Sequence, residues 1–310
     1  MELKYKKAAA IGLIVIVAGI FGGWAIYDGY YSSRRIILAT TTSTYDSGLL
    51  DYLIPHFENQ YNIPVHIVSV GTGAALEAGK AGNADLILVH SRTREDSFVN
   101  EGYGVHRACI MYNDFVIVGP SDDPAEIQGE NITSAMLNLR SSGNLTESTF
   151  YSRGDSSGTY SKELGLWNLT DFIPDSEEDL WYKETGTGMG ATLTITDEQN
   201  GYTLVDRGTW LSMMDGLDLV ILSEGDENLL NSYGAILVNP ELHTGVKFDL
   251  AKKLISFLVS ELGQQLIGDF RKNGEILFRP AFGICNSTHS CTTTSNEISY
   301  WSQFNGGYTG

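Results

Sequence analysis

Basic residues are scarce in this chain, which holds 20 lysines and arginines against 38 aspartates and glutamates and has a formal net charge of −18. A surface this acidic repels nucleic acid, so the composition argues against a nucleic-acid-binding protein. The same surface repels free anions. If the protein binds an anion, the site must therefore be local and built mainly from neutral dipoles such as N–H and hydroxyl groups.

Cysteine is also scarce, with three residues in the whole chain. Cys109 lies in an apolar, strand-like run, which predicts a buried thiol. Cys285 and Cys291 lie close together in a tail rich in serine and threonine, which makes them a candidate disulfide outside the cell. Only His289 is near them, and the other histidines lack the spacing of metal ligands. The sequence therefore predicts no metal site.

Charge is absent from residues 8–27, a run that follows three lysines near the start of the chain. As a helix, about 20 residues span the roughly 30 Å of membrane hydrocarbon, and lysines before the span place the rest of the protein outside the cell. We therefore expect residues 1–31 to be a membrane anchor and linker. A cleaved signal peptide, which leaves the protein secreted, is the alternative. The N-x-S/T acceptors Asn131, Asn144, Asn168 and Asn286 fit an extracytoplasmic surface.

What the sequence does contain is a recurring order of strand, turn and helix. An apolar strand near residues 35–39 leads through a hydroxyl-rich turn to an amphipathic helix, and the same order repeats from residue 64 onwards. Residues 84–89 are continuously apolar, as in strands buried on both faces of a parallel sheet. The 310 residues are enough for one large or two small cores. The predicted fold class is α/β.

Two apolar, strand-like runs end at prolines, residues 112–120 and residues 233–240. We expect these two strands to cross between two lobes, one leaving the first lobe and one returning to it. The predicted organisation is a first lobe at residues 32–117, a second lobe at 118–235 and a return to the first lobe at 236–284. Residues 285–310, rich in serine, threonine and glycine, are expected to have little regular structure.

Residues 152–159, with the sequence SRGDSSGT, lie between an apolar run and a helix-like run. Small residues let the backbone turn tightly and approach a ligand closely. A helix that begins there adds unpaired N–H donors and the positive end of its dipole. Arg153 adds a planar fork of charged donors. We interpret this loop as half of a site for a small tetrahedral oxyanion.

Four turns share this design, in which glycine, serine and threonine stand between a strand and a helix. They are Thr41-Thr42-Ser43, Gly71-Thr72-Gly73, Ser156-Ser157-Gly158-Thr159 and Gly186-Thr187-Gly188. Each turn alone is typical of a helix cap. The set predicts more, because the carboxyl ends of strands in an open α/β sheet line one crevice where ligands bind. Two turns from each lobe are expected to surround an anion held between the lobes.

A serine hydrolase is the main alternative from another class of protein. Residues 154–158 match G-x-S-x-G, the nucleophile elbow, with Ser156 as the nucleophile. Asp206 or Asp218 and then His243 follow in the chain order that such enzymes use. This hypothesis leaves Arg153 and the other three turns without a role, and no segment resembles an HGGG-type oxyanion hole. The sequence therefore favours a binding protein over an enzyme.

The chain resembles the TupA family, the tungstate-binding proteins of ABC importers. The matching segments fall in order and are residues 40–43, 70–73, 112–120, 152–155, 157–159, 188–190, 202–204, 206–208 and 233–234. The resemblance implies a type II periplasmic-binding-protein fold, in which two α/β lobes joined by two crossing strands close on an anion. It also implies an extracytoplasmic, monomeric protein without a cofactor, which delivers tungstate or molybdate to a membrane permease.

The resemblance assigns donors to both lobes. The first-lobe donors are Thr41, Thr42, Ser43, Thr72 and Gly73. The second-lobe donors are Arg153, Ser157, Gly158, Thr159, the backbone near Thr187 and Gly188, and Tyr202. The chain departs from the family pattern at Val205, where threonine is common, and at Tyr160, where histidine is common. Phosphate-binding proteins of the same fold are an alternative, in which Asp155 accepts the proton of the phosphate.

Overall fold

The computed structural model describes residues 33–283 and 295–309. Within these residues the strands are β1 (Ile36–Thr41), β2 (Val65–Val70), β3 (Leu86–Val89), β4 (Gly104–Gly119), β5 (Phe150–Ser152), β6 (Tyr182–Glu184), β7 (Thr203–Asp206), β8 (Val220–Ser223), β9 (Leu230–Val238), β10 (Arg271–Lys272), β11 (Glu275–Ile276) and β12 (Arg279–Pro280). The α-helices are α1 (Thr42–Asp46), α2 (Leu49–Tyr61), α3 (Thr72–Lys80), α4 (Arg92–Asn100), α5 (Ile132–Asn144), α6 (Gly158–Asn168), α7 (Met189–Glu198), α8 (Arg207–Met213), α9 (Phe248–Leu258), α10 (Glu261–Asp269) and α11 (Ser295–Trp301). Strands and helices alternate along most of this length, which confirms the predicted α/β class.

The first lobe is built on a mixed sheet with the strand order β12-β4-β9-β3-β1-β2. β1 pairs in parallel with β2 and β3, whereas β9 runs antiparallel to β3 and β4. Successive residues of a strand point to opposite faces, so Leu86 packs into one core and Ile87 into another. Both faces of the sheet are therefore covered, as the continuous apolar run of β3 predicted.

The second lobe pairs β7 and β8 with the carboxyl end of β4, and it contains a separate parallel pair, β5 and β6. Its core is rich in aromatic rings, and Phe150, Trp167 and Tyr182 are at most 1% exposed. The rings of Phe150 and Tyr182 stack nearly parallel, and Trp167 meets both of them edge-on. These contacts hold β5 against α6, so the loop that joins them is anchored at both ends.

β4 is one of the two strands that cross between the lobes. Its first part, up to Asp114, pairs with β9, and its last part, from Phe115, pairs with β7 and β8. β9 begins opposite Asp114 and returns antiparallel to β4, and α9 and α10 then pack on the first lobe. The predicted pair of crossing strands is confirmed. The predicted lobe boundaries, at residues 117/118 and 235/236, fall inside these two strands.

The predicted anchor at residues 1–31 lies outside the described residues, as do Asn286 and the candidate Cys285–Cys291 disulfide. Within residues 33–283 and 295–309, no helix has both the length and the apolar character needed to cross a membrane.

Cys109 is fully buried on β4, as predicted, but it is disulfide-bonded and not a free thiol. The prediction of a free thiol is therefore wrong. An apolar strand pattern indicates that a cysteine is buried, but it does not show whether the thiol is free or bonded.

The carboxyl-terminal tail contains more structure than its composition predicts. Residues Ser295–Trp301 form α11, and Trp301 is fully buried and donates from Nε1 to the backbone oxygen of Arg107 at 3.2 Å. The prediction of little regular structure is wrong for this segment. Composition averages over the whole tail, whereas burial of one tryptophan side chain contributes about 4–6 kcal/mol before the cost of ordering.

Candidate functional site

Two helices of the first lobe begin at the same edge of its sheet. β1 and β2 are parallel neighbours, so the turns that follow them lie side by side, and α1 and α3 begin there. In the first turn, the Thr41 hydroxyl caps α1 by accepting a bond from the N–H of Thr44 at 3.3 Å. In the second turn, Gly71 precedes α3 and has no side chain with which to cap it. The first N–H groups of α3, around Thr72, are therefore left without a side-chain acceptor.

The second lobe repeats this arrangement. β5 and β6 are parallel neighbours, and α6 and α7 follow them. Ser157 caps α6 by accepting a bond from the N–H of Tyr160 at 3.1 Å, whereas Gly188 precedes α7 without a side-chain cap. Each lobe thus contributes one helix capped by its own hydroxyl and one glycine-capped helix whose first N–H groups remain available to a ligand.

Gly154 determines the shape of the loop between β5 and α6. Its φ of +58° lies in the left-handed region, and a Cβ at this position would lie 2.5 Å from the Cβ of Glu184. Its N–H donates to the Ser152 hydroxyl at 3.1 Å, and that hydroxyl donates to the buried carboxyl of Glu163 at 2.8 Å. A glycine is therefore required here, and the loop that carries Arg153 is positioned from inside the second lobe.

The turns of both lobes face one cleft, which consists of two adjoining cavities of about 640 and 480 Å³ that share Thr42, Ser43 and Arg153. The predicted site residues that line the larger cavity are Thr41, Thr42, Ser43, Thr72, Gly73, Arg153, Ser157, Gly158 and Thr159. Gly188 lines the smaller cavity together with Met189. The structure therefore brings the predicted donors of the two lobes together.

Arg153 is the charged donor at the junction of the two cavities. Its Nη2 lies 2.5 Å from Asp155 Oδ2, and its side chain is only 18% exposed. Its Nε is buried and has no hydrogen-bond partner within the part of the chain that the structure describes. A buried N–H without a partner costs free energy, so this edge of the guanidinium group has unused capacity for an anion.

Asp155 also lines the cleft, but both of its carboxylate oxygens are engaged. Oδ1 accepts a bond from the N–H of Ser157 at 3.0 Å, and Oδ2 pairs with Arg153. The carboxylate therefore holds the loop in shape. Each oxygen keeps a second acceptor site, so the carboxylate can still accept the proton of a phosphate.

Two of the predicted residues do not reach the cleft through their side chains. Tyr202 is fully buried in the second lobe, where its hydroxyl donates to Asp123 at 2.9 Å and accepts from the N–H of Ala125 at 2.9 Å. This placement corrects its assignment to the site: residues along an extended chain alternate between faces, and Tyr202 points into the core. Thr187 lines neither cavity, and its hydroxyl donates to Thr185 at 3.2 Å within its own turn.

His90 lines the cleft, although its sequence context suggests only a structural or solvated histidine. Its Nε2 lies 3.2 Å from Ser43 Oγ and its Nδ1 lies 3.0 Å from Asn231 Oδ1. Burial lowers the pKa of His90, Asp206 and Asn231 raise it, and Arg153 lowers it further. The signal that could have found it is its position just after β3, the parallel neighbour of β1, at the same edge of the sheet.

Arg94 is a second cleft residue that the sequence pattern did not indicate. It belongs to α4 of the first lobe, and its Nη1 donates to the backbone oxygen of Ser156 in the second lobe at 3.4 Å. Arg94 therefore joins the two lobes at the rim of the cleft.

The residues of the hydrolase alternative do not assemble around Ser156. His243 Nε2 donates to the backbone oxygen of Lys80 at 2.8 Å, and Asp206 caps α8 by accepting from the N–H of Thr209 at 2.9 Å. No hydrogen bond joins Ser156 to a histidine within residues 33–283 and 295–309. A serine without a base in reach is not an activated nucleophile.

Known proteins resemble this chain over most of its length. Residues 29–261 match the family model described as the PBP superfamily domain. A putative ABC transporter anion-binding protein of Haloferax volcanii is 47% identical over 297 residues, which cover 89% of this chain and 85% of that protein. The tungstate-binding protein TupA of Peptoclostridium acidaminophilum is 45% identical over 250 residues, which cover 79% of this chain and 85% of that protein.

Solved structures agree with these relatives. The tungstate-binding protein TupA from Desulfovibrio alaskensis G20 matches with a TM-score of 0.73 and 42% identity, over 80% of this chain and 98% of that one. These relatives are binding proteins and not enzymes, which confirms the prediction that this chain is not an enzyme. The chain therefore belongs to the PBP superfamily and, within it, to the TupA family of tungstate-binding proteins.

Proposed function

We propose that this protein captures tungstate, or molybdate of nearly the same size and charge, in the cleft between its lobes and delivers it to the permease of an ABC importer. Relatives at 45% and 37% identity are named tungstate-binding proteins. The relative at 47% identity is named a putative ABC transporter anion-binding protein. These names support both the class of ligand and the transporter as partner.

The observation that carries the proposal is the convergence of hydrogen-bond donors from both lobes. One glycine-capped helix of each lobe, a set of hydroxyl groups and Arg153 line the same cleft. Tungstate at neutral pH is a fully deprotonated dianion, which only accepts hydrogen bonds. Charge-assisted hydrogen bonds contribute about 1.5–3 kcal/mol each. Several of them, less the cost of closing the lobes, reach the about −12 kcal/mol of a nanomolar complex.

We further propose that capture takes place outside the cell. The charge-free run at residues 8–27, behind three lysines, supports a membrane tether, and a cleaved signal peptide with a secreted protein is the alternative. The acceptors Asn131, Asn144 and Asn168 are exposed, which suits such a location.

We propose that the protein acts as a monomer without a resident cofactor or metal ion, because the donors of one chain already surround the cleft. Among residues 33–283 and 295–309, no group of three or more histidines, cysteines, aspartates or glutamates is suited to hold a metal ion.

Isothermal titration calorimetry with tungstate, molybdate, sulfate and phosphate tests the proposal. We expect tungstate to bind with a nanomolar dissociation constant, about −12 kcal/mol, molybdate to bind comparably, and sulfate and phosphate to bind far more weakly. Tight phosphate binding with weak tungstate binding would instead support the phosphate-binding alternative, which the position of Asp155 in the cleft favours. The absence of binding for all four anions would contradict an oxyanion site altogether.

A further inference from the structure

A chain of hydrogen bonds links the crossing strands to the cleft. Asn231 on β9 is buried, and its Nδ2 donates to Asn113 Oδ1 on β4 at 2.8 Å and to the Tyr233 hydroxyl at 3.1 Å. The amide nitrogen is therefore fixed on the side of two acceptors, which leaves Asn231 Oδ1 facing His90 Nδ1 at 3.0 Å. Because that oxygen can only accept, His90 Nδ1 must carry a hydrogen.

The orientation of the His90 ring determines what Ser43 can do. A neutral imidazole with a hydrogen on Nδ1 has only a lone pair on Nε2. The Ser43 hydroxyl, 3.2 Å away, then donates to Nε2 and turns only its oxygen lone pairs towards other partners. One lone pair accepts from the Thr41 hydroxyl at 3.3 Å, and the other is left for the cleft. Ser43 lines both cavities of the cleft, so in this state it presents an acceptor to the guest. Such a state conflicts with a fully deprotonated oxyanion.

We propose that His90 takes up one proton from solvent when the cleft binds a fully deprotonated oxyanion, and that it thereby converts Ser43 into a donor. The added proton is carried by Nε2, which then donates to Ser43 Oγ. The Ser43 hydroxyl hydrogen is released from Nε2 and donates to the anion. His90 is therefore a positioning residue that acts through Ser43. The inference rests on the proposed function, since it requires an oxyanion in the cleft.

The charges around His90 support this direction of coupling. The titratable groups that face the ring are Arg153, Asp206 and Tyr233. The charged side chains that line the cavities beside the ring include Arg92, Arg94, Asp155 and Lys162. Lys162 donates to the backbone oxygen of Leu230, and Arg92 pairs with Asp96. Burial is the largest cause that lowers the pKa of His90, and Arg153 lowers it further. A dianion beside Arg153 offsets that positive charge, so binding raises the pKa of His90.

The sign of the pH dependence follows from this shift. A group whose pKa rises on binding takes up protons between its free and bound pKa values, so affinity increases as the pH falls through that interval. With one linked proton, the dissociation constant decreases by up to about tenfold for each unit by which the pH is lowered within this interval. Above the bound-state pKa of His90, the affinity becomes independent of pH.

Calorimetry of tungstate binding to the full-length protein tests the inference. Titrations at one pH in two buffers of different ionisation enthalpy count the protons taken up, and they are repeated from about pH 6 to about pH 8 where histidine titrates and tungstate remains a dianion. We expect uptake that approaches one proton at its maximum and is lost in His90→Gln. Tight binding without proton uptake by the wild-type protein would overturn the inference and leave the proposed function intact. Failure to bind tungstate at all would instead contradict the proposed function.

Two sets of variants test whether the proton uptake is specific to His90 and whether His90 acts on binding through Ser43. His66 is exposed on β2, and His66→Gln should bind tungstate with the proton uptake of the wild type. If His90 acts through Ser43, the double variant His90→Gln with Ser43→Ala should bind no more weakly than Ser43→Ala alone. Fully additive losses in the double variant, or loss of proton uptake in His66→Gln, would count against the role assigned to His90.

Discussion

At the scale of single residues, Arg153 is the arginine that lines both cavities of the cleft. It lies at the junction of the two cavities, its Nη2 is held by Asp155, and its Nε has no partner within the described ranges of the chain. The guanidinium group is planar and carries donors in a fixed fork, which suits two oxygens of one anion. The protein thus keeps a positive charge in place before the anion arrives, although the whole molecule is strongly negative.

Arg153→Ala should weaken tungstate binding at least tenfold, because it removes a charge-assisted donor worth about 1.5–3 kcal/mol. Isothermal titration calorimetry measures the change. Arg140→Ala is a matched control in the same lobe, since Arg140 stacks on Phe172 and does not line the cleft. An unchanged dissociation constant for Arg153→Ala would remove this residue from the site.

Glu163 is a buried carboxyl group that supports the Arg153 loop from behind. It accepts bonds from Ser152, Trp167 and Tyr182. Burial raises the pKa of Glu163 to about 7. The three hydrogen bonds lower this pKa, but by less than burial raises it. A folded-state pKa above the unfolded value means that the folded protein binds more protons in this interval. The free energy of unfolding therefore falls as the pH rises from about 4.5 to about 7.

Glu163→Gln removes this titration and should make the protein less sensitive to pH. Between acidic and neutral pH, the free energy of unfolding of the wild type should therefore decrease by about 1–3 kcal/mol more than that of the variant, since one pKa unit corresponds to about 1.4 kcal/mol. Urea unfolding at a series of pH values measures the difference. Glu147→Gln, at an exposed position in the same lobe, should leave the pH dependence unchanged. Parallel stability profiles of Glu163→Gln and the wild type would contradict the raised pKa.

At the scale of secondary-structure elements, the site depends on how four helices begin. Thr41 and Ser157 cap their own helices, whereas Gly71 and Gly188 leave the first N–H groups of α3 and α7 without a side-chain acceptor. A glycine cap gives up little helix stability, a few tenths of a kcal/mol relative to a better capping residue. In return, one helix of each lobe presents free N–H groups and the positive end of its dipole to the cleft.

Gly71→Asp should change stability and affinity in opposite directions. The backbone at Gly71 is extended and an added Cβ meets nothing within 4 Å, so the aspartate fits and caps α3. We expect thermal unfolding to show a gain of about 0.5 kcal/mol. Its carboxylate also occupies the N–H groups and repels the anion, so tungstate binding should weaken at least tenfold in calorimetry. Ser260→Asp, which changes the cap of α10, should leave the affinity unchanged. Equal affinity of Gly71→Asp and the wild type would show that α3 does not bind the anion.

The carboxyl-terminal helix α11 contributes to stability and not to the cleft. Trp301→Ala removes a fully buried side chain from the first-lobe core and should cost about 3–5 kcal/mol of unfolding free energy. Chemical denaturation measures the loss, and Phe304→Ala, at a position that is 44% exposed, provides the matched comparison with a smaller cost. Tungstate affinity should be unchanged in both variants at a temperature where they are folded. If Trp301→Ala lost tungstate affinity but kept its free energy of unfolding, the assignment of α11 to stability would be wrong.

At the scale of the whole molecule, a net charge of −18 opposes the approach of a doubly negative ligand. The donors of the cleft are mostly neutral groups, so they attract the anion only at short range. Salt screens the repulsion by shortening the Debye length from about 30 Å at 0.01 M to about 8 Å at 0.15 M. The overall charge therefore affects how fast the anion arrives, and the cleft determines how tightly it is held.

The association rate constant for tungstate should therefore increase with ionic strength over this range. Stopped-flow measurement of intrinsic tryptophan fluorescence gives the rate constant. Sodium chloride and sodium acetate at equal ionic strength serve as mutual controls, because screening affects both alike whereas competition for the site depends on the anion. A rate constant that falls with both salts would indicate an attractive field at the cleft entrance and contradict the expectation.

Much of the fold and of the site could be read from local patterns. The turns at Thr41, Gly71, Ser157 and Gly188 were predicted because strand, small residues and helix follow one another within a few positions. Their convergence could also be predicted, because the carboxyl ends of neighbouring parallel strands lie at one edge of a sheet. The two crossing strands were visible as apolar runs that end at prolines.

The errors concern residues whose partners are far away in the chain. Tyr202 was assigned to the cleft, but it bonds to Ala125, 77 residues away, inside the second lobe. His90 was not assigned to the cleft, and its partner Asn231 lies 141 residues further on. The structure of the tail was missed because Trp301 bonds to Arg107, 194 residues before it. In each case, the local sequence gives the type of residue and not the neighbour that it meets.

The sequence by itself determined the α/β order, the glycine, serine and threonine turns and the presence of donors suited to an oxyanion, since these follow from steric and hydrogen-bonding preferences of neighbouring residues. The tertiary structure decided which side chains face the cleft, how His90 is linked to Ser43 and Asn231, and that Asp155 is already occupied by its own loop. These features depend on contacts between segments that only chain folding brings together, because burial and hydrogen bonding select one partner among many with similar local sequence.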